Sequence, residues 1–176
     1  MAILADFVVL GVLYFAVFFR RWRRKGGRSL LVNTLMYVYI AFVLYFTLVP
    51  ILFSIPNLFD HTYAYGPINL IPFADVLYGR GDYWRQVVLN VIMTIPFGFL
   101  LPIVRKRTTL GKAVLMTMLM SICIEVLQLF SVAFRATDIT DVITNTLGGL
   151  LGYVTYLLVA RLLPPASTPA KKDARD

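Results

Sequence analysis

The stretch EVLQLFSVAFRATDITDVITNTLGG, residues 125–149, decides the fold. Two apolar segments meet here across a short turn, and polar groups sit just inside both. Glu125 and Gln128 are three residues apart, a spacing that puts them on one helix face. Asp138, Asp141 and Asn145 follow at i, i+3 and i+7, which predicts a second shared face. Arg135 lies between the two sets. The surrounding residues are nearly all apolar, and ionisable groups in apolar membrane segments are costly and mark functional sites by default.

Working outward, the rest of the chain has the same character. Of its 176 residues, 59% are hydrophobic, and the mean hydropathy is +0.77. A soluble domain of this size is not so apolar, so the class is integral membrane protein, all-α. Five stretches, about 2–19, 31–53, 86–103, 113–132 and 139–160, are each apolar for roughly the length that crosses a hydrocarbon core as a helix. They predict a five-helix bundle over residues 1–162. A polar, Pro-rich tail over 163–176, ending in PPASTPAKKDARD, has the composition of a disordered segment. The first apolar stretch lacks a basic leader and carries its positive charges after it, so it reads as a retained span, not a cleaved signal.

The formal net charge of +8 would suggest nucleic acid in a soluble protein, but its distribution points to membrane topology and no nucleic-acid partner. The loop RRWRRKGGR (20–28), the loop RKRTTLGK (105–112) and the C-terminal segment from Arg161 hold 14 of the 17 basic residues. Arg80, Arg85 and Arg135 remain for the other side. The positive-inside rule then places the N-terminus outside and the C-terminus in the cytoplasm. The same basic blocks suit anionic lipid headgroups.

Residues 54–85 form the longest stretch between spans and fall outside. The run INLIPFADV (68–76) is apolar, contains Pro72 and is too short to cross, which predicts a re-entrant or interfacial segment with Asn69 as its polar group. His61 in the same loop reads as solvated. Tyr45 and Thr47, at the outer end of the second span, read as an interfacial belt. The third span carries Asn90, a kinking Pro96 and a small Gly98. In the last span Gly148 and Gly152 make a small-xxx-small pair suited to close packing within the protein. Cys123, the single cysteine, excludes an intrachain disulfide and reads as packing.

Counting helical rise from the predicted outer boundaries puts Asn90, Gln128, Glu125 and Asn145 at one level on three spans, with Asp141 and Asp138 nearer the surface and Arg135 at the mouth. The spacing predicts an outward-facing polar vestibule. Three carboxylates face one arginine there, an imbalance that a proton or a bound cation relieves. Oxygen ligands suit Ca²⁺ or Mg²⁺, yet no spacing is diagnostic of a metal, and no motif names a cofactor. A purely structural staple is the competing arrangement, with Arg135 pairing Asp138 or Asp141 while Glu125 bonds Gln128 and Asn145. Zinc-type His/Cys spacing, a Ser-His-Asp order and a Gly-rich phosphate loop are all missing from the sequence.

The segments NLIPF (69–73), LNVIMTIPFGFLLP (89–102), EVLQLF (125–130) and RATDITDVITNTLGGLLG (135–152) together resemble the VanZ-like family over roughly residues 35–158. The resemblance implies a small bacterial membrane protein of the kind associated with resistance to teicoplanin, a lipoglycopeptide that binds cell-wall precursors outside the membrane. It carries the family's polar motif onto Asn69, Asn90, Glu125, Gln128, Arg135, Asp138, Asp141 and Asn145. The function it implies is a lowering of lipoglycopeptide action at the cell surface. Asn69, Asn90, Gln128, Arg135 and Asn145 would bind the drug, lipid II or another envelope lipid. The alternative is a membrane-embedded enzyme on a lipid-linked substrate, with Glu125, Asp138 and Asp141 as its carboxylates. A proton-coupled carrier fits less well, because all the polar groups lie in the outer half.

Overall fold

The structure is a computed structural model and describes residues 2–48, 56, 67–79, 81–130 and 136–162. Four of its helices are long and apolar enough to cross a membrane, spanning Gly27–Thr47, Tyr83–Val104, Leu110–Gln128 and Ile139–Leu162. The helices containing them are α3 (Gly27–Leu48), α5 (Tyr83–Val104), α6 (Leu110–Gln128) and α7 (Ile139–Leu162). The first predicted span is also helical, but a π-helical turn at Tyr14–Phe19 divides it into α1 (Ala2–Leu13) and α2 (Arg20–Arg23). It leans on α3 through Tyr37, whose hydroxyl donates to the Leu10 carbonyl at 2.7 Å, and through the Tyr14–Thr34 hydroxyl pair at 2.8 Å.

The bundle is apolar outside and small or polar inside, as lipid solvation requires. Leu35, Phe42, Ile92, Leu115, Leu119 and Leu158 are all exposed on its flanks, whereas Thr94, Thr117 and Ser121 are fully buried. Without water to drive helices together, membrane bundles rely on close backbone approach and interhelical hydrogen bonds. The glycines provide that approach. A Cβ at Gly98 would run into the backbone of Gly149, one at Gly152 into the Ile95 carbonyl, and one at Gly148 into Val91 and Thr94. Gly148 and Gly152 therefore pack α7 against α5 within the chain. An apolar core of Met36, Phe97, Leu101, Ala113 and Tyr153 fills the end of the bundle that carries the basic loops.

Pro96 and Pro102 both lie inside α5. Pro96 cannot donate to the carbonyl one turn back. The neighbouring Met93 carbonyl accepts the Tyr39 hydroxyl at 2.8 Å, which brings an outside donor to the weakened turn.

Of the long stretch between α3 and α5, residues 67–79 are described, while His61 lies outside the described residues. Ile68–Asn69 (β1) pairs in parallel with Thr137–Asp138 (β2), with Asn69 opposite Asp138. The chain then turns through Phe73, whose positive φ of 56° is rare for a non-glycine residue, and forms the short helix α4 (Ala74–Tyr78). The Phe73 N–H donates to the Thr140 hydroxyl at 2.9 Å, which holds the turn against the start of α7. This two-residue pairing is the one departure from an all-helical chain among the described residues.

Candidate functional site

The polar residues gather at the end of the bundle opposite the basic loops, in two tiers. The outer tier is built on Asp138. The sequence spacing puts Asp138 on a helix face with Asp141 and Asn145, but the structure places it in β2, just ahead of α7. Its Oδ1 accepts the Thr140 N–H at 2.7 Å, the bond of a helix N-cap. Its Oδ2 accepts Asn69 Nδ2 at 2.8 Å. Its own N–H donates to Glu125 Oε2 at 3.0 Å. One residue thus joins the segment ahead of α4, the end of α6 and the start of α7. Asn69 is fixed in turn, because its Oδ1 accepts the Ile71 N–H at 3.1 Å.

Glu125 is 4% exposed. Its backbone carbonyl takes the Thr137 hydroxyl at 3.0 Å, while nothing among the described residues bonds its Oε1. A buried carboxylate is the costliest group of the tier to hold in an apolar bundle. Asp141, on the first turn of α7, accepts Gln86 Nε2 through both oxygens, at 3.2 and 3.4 Å. Beside Asp138 and Asp141 runs a cleft lined by Phe73, Tyr83, Gln86 and Thr140. Its free volume of about 10 Å³ holds about one water molecule.

The inner tier is neutral. Asn145 Nδ2 donates to the Ser121 hydroxyl at 2.8 Å, and the Thr94 hydroxyl donates to the Asn145 carbonyl at 2.7 Å and lies 3.0 Å from the Asn90 carbonyl. Asn145 is therefore level with Ser121, one turn or about 6 Å deeper than Glu125, and does not share its level. Counting from uncertain span boundaries placed them together, whereas the interhelical bonds fix the true register. Asn145 Oδ1 and Asn90 Nδ2 are buried and have no hydrogen-bond partner, a complementary acceptor and donor facing the same tier.

Gln128 joins neither tier. It is buried on the face it shares with Glu125, but its Nε2 donates to the Thr47 carbonyl at 3.2 Å and so ties α6 to α3. The staple in which Glu125 bonds Gln128 and Asn145 does not form, because Asp138 and Ser121 take those places. Arg135 lies outside the described residues.

Several participants have no obvious mark in the sequence. Thr140, Gln86, Thr94 and Ser121 are single uncharged polar residues in helical segments, where they are commonplace. Ser121 did carry a signal, since 121, 125 and 128 share one helix face. Thr94 and Gln86 lie four residues either side of Asn90, on its own face. Among the described residues no cluster of His, Cys, Asp and Glu has the makings of a metal site.

The comparisons with known proteins cover most of the chain. The family model of VanZ/LLP1 matches residues 36–160, a range that contains both tiers. Protein VanZ of Enterococcus faecium is 35% identical over 128 residues, which cover 73% of this chain and 74% of that protein. No solved structure matches the chain.

Proposed function

From the premise that this chain is a membrane protein of the VanZ/LLP1 family, we propose that it lowers the action of teicoplanin-type lipoglycopeptides at the bacterial cell surface. The outer polar tier is its working site, and the ligand is the drug, lipid II or another envelope lipid. One observation carries the reading. Glu125, Asp138 and Asn69, from three separate parts of the chain, are joined by short hydrogen bonds in an otherwise apolar protein. Such a group is expensive to bury unless it is used.

In this reading the basic loops face the cytoplasm by the positive-inside rule, so the polar end faces outward, where such drugs and their targets meet. The carboxyl of Glu125 supplies the polar contact of the outer tier, the Asn90 Nδ2 and Asn145 Oδ1 atoms beneath it, which have no partner among the described residues, add to it, and Arg135 serves a phosphate or carboxylate of the ligand.

A second reading, catalysis on a lipid-linked envelope substrate, draws on the buried Glu125 carboxyl held beside Asp138. A general acid or base needs a free oxygen within reach of the transferred proton.

The experiment is expression of the chain in a teicoplanin-susceptible bacterium, with susceptibility and envelope-lipid masses measured together. Reduced susceptibility with unchanged lipid masses supports binding. Reduced susceptibility with a new lipid mass supports the enzyme. Unchanged susceptibility at good membrane levels defeats the proposal.

A further inference from the structure

At the opposite end of the bundle lies a groove that the polar tiers do not touch. It runs between the start of α3 and the ends of α5 and α7, and its volume is about 660 Å³. Lys25, Arg28 and Lys106 stand at its rim. Its floor is apolar, formed by Phe99, Pro102 and Val159 among others. Phe99 and Tyr156 meet edge to face with ring centroids 6.2 Å apart, which gives the floor a firm wall. We propose that this groove binds one anionic phospholipid, with its phosphate among Lys25, Arg28 and Lys106 and an acyl chain along the apolar floor. The inference does not rest on the function proposed for the other end.

Charge complementarity argues for this occupant. No Asp or Glu occurs between residues 7 and 59, 83 and 124, or 142 and 172, so the three elements that build the groove bring no acid to it. Among the described residues the one salt bridge joins Arg85 to Asp82, at the other end of the bundle. Among the described residues no acid pairs with the three cations, which are exposed and adjacent to an apolar surface. The Tyr156 hydroxyl has no hydrogen-bond partner among the described residues, and Asn33, tied to Ser29 through its Nδ2, adds a neutral polar group to the rim. A soluble anion would use the rim and leave the floor bare. A phospholipid uses both, and the groove is large enough for a headgroup and the first part of one chain. Basic pockets between membrane helices select anionic headgroups by this chemistry.

The test is native mass spectrometry of the full chain in neutral detergent, with palmitoyl-oleoyl phosphatidylglycerol, the matching phosphatidylcholine and inorganic phosphate as probes. Phosphatidylglycerol should be retained at least about tenfold better than phosphatidylcholine, and millimolar phosphate should not displace it. The triple variant Lys25→Gln, Arg28→Gln, Lys106→Gln should lose about a hundredfold, about fivefold per cation. Arg21→Gln, Arg23→Gln, Arg24→Gln removes the same charge away from the groove and should lose less than about threefold. Ala160→Trp, which fills the groove and keeps every charge, should weaken lipid retention, and its elution profile and unfolding temperature report whether it folds. Equal losses in the two triple variants would mean a diffuse charge effect and overturn the site. Displacement by phosphate, equal retention of phosphatidylcholine, or an unaffected folded Ala160→Trp would overturn the lipid as its occupant.

Discussion

Exchanging the partners at positions 69 and 138 tests the outer tier most sharply. In the parent, Asn69 Nδ2 donates to Asp138 Oδ2 at 2.8 Å, and Asn69 cannot turn over because its Oδ1 holds the Ile71 N–H. Asp138→Asn keeps an acceptor for the Thr140 N–H but sets one amide NH₂ against another. A hydrogen bond to a charged group is worth about 1.5–3 kcal/mol. Because Asn69 is only part-buried, about 1–2 kcal/mol is the expected loss for this variant. Asn69→Asp alone sets two carboxylates face to face and should cost at least as much. In the double variant the new amide at 138 donates to the new carboxylate at 69, whose second oxygen still accepts the Ile71 N–H. The double variant should therefore recover most of the loss, with a coupling energy of about 1.5–3 kcal/mol. Equilibrium unfolding of the purified protein in mixed micelles, followed by helical circular dichroism, measures all four proteins. If the double variant equals the sum of the singles to within about 0.5 kcal/mol, the limit of additivity, the two side chains do not interact and the tier is wrongly built.

Other outcomes follow from the same geometry. Gly98→Ala places a methyl against the Gly149 backbone and should cost about 1–3 kcal/mol in the same unfolding assay, the usual penalty of overpacking. Gly111→Ala meets open space and should change stability by no more than about 0.5 kcal/mol in either direction. With Cys123 replaced by Ser, an impermeant thiol reagent added to intact cells should label His61→Cys and spare Arg107→Cys. Labelling of the second would reverse the orientation inferred from the basic loops. If Arg135 clamps an anionic group with its planar fork, Arg135→Lys should weaken ligand binding about 10- to 150-fold, the loss of one charge-assisted bond. If Lys serves as well as Arg in a drug-susceptibility assay at matched membrane levels, Arg135 is only a counter-ion.

The spans were legible because lipid solvation writes long apolar runs into a sequence, and the basic loops mark one end of every helix. The polar residues were legible one at a time for a related reason, since each is an anomaly against its neighbours. Their partners were not. Asp138 meets Asn69 through a parallel pairing between segments 69 residues apart, and it meets Glu125 through a backbone N–H that no side-chain pattern encodes. The helical spacing of 138, 141 and 145 was a real regularity with a misleading reading, because the helix begins one residue too late to include Asp138. The depth of Asn145 was missed for the same kind of reason. Register between helices is set by Gly98 against the Gly149 backbone, Gly148 against the Val91 carbonyl and the Thr117 side chain against Gly149, whereas counting from a span boundary carries that boundary's error into every depth. The π-helical turn at Tyr14–Phe19 has no sequence mark that we can identify.

The central claim is that the outer tier lowers drug action through Glu125, and one substitution addresses it directly. Glu125→Gln keeps an oxygen to accept the Asp138 N–H and removes the charge and the acidic proton. Teicoplanin susceptibility should be measured in cells that carry the parent or this variant at equal membrane levels. The account predicts that the variant accumulates normally and leaves cells as susceptible as those lacking the protein. A variant that accumulates normally and protects as well as the parent would contradict it.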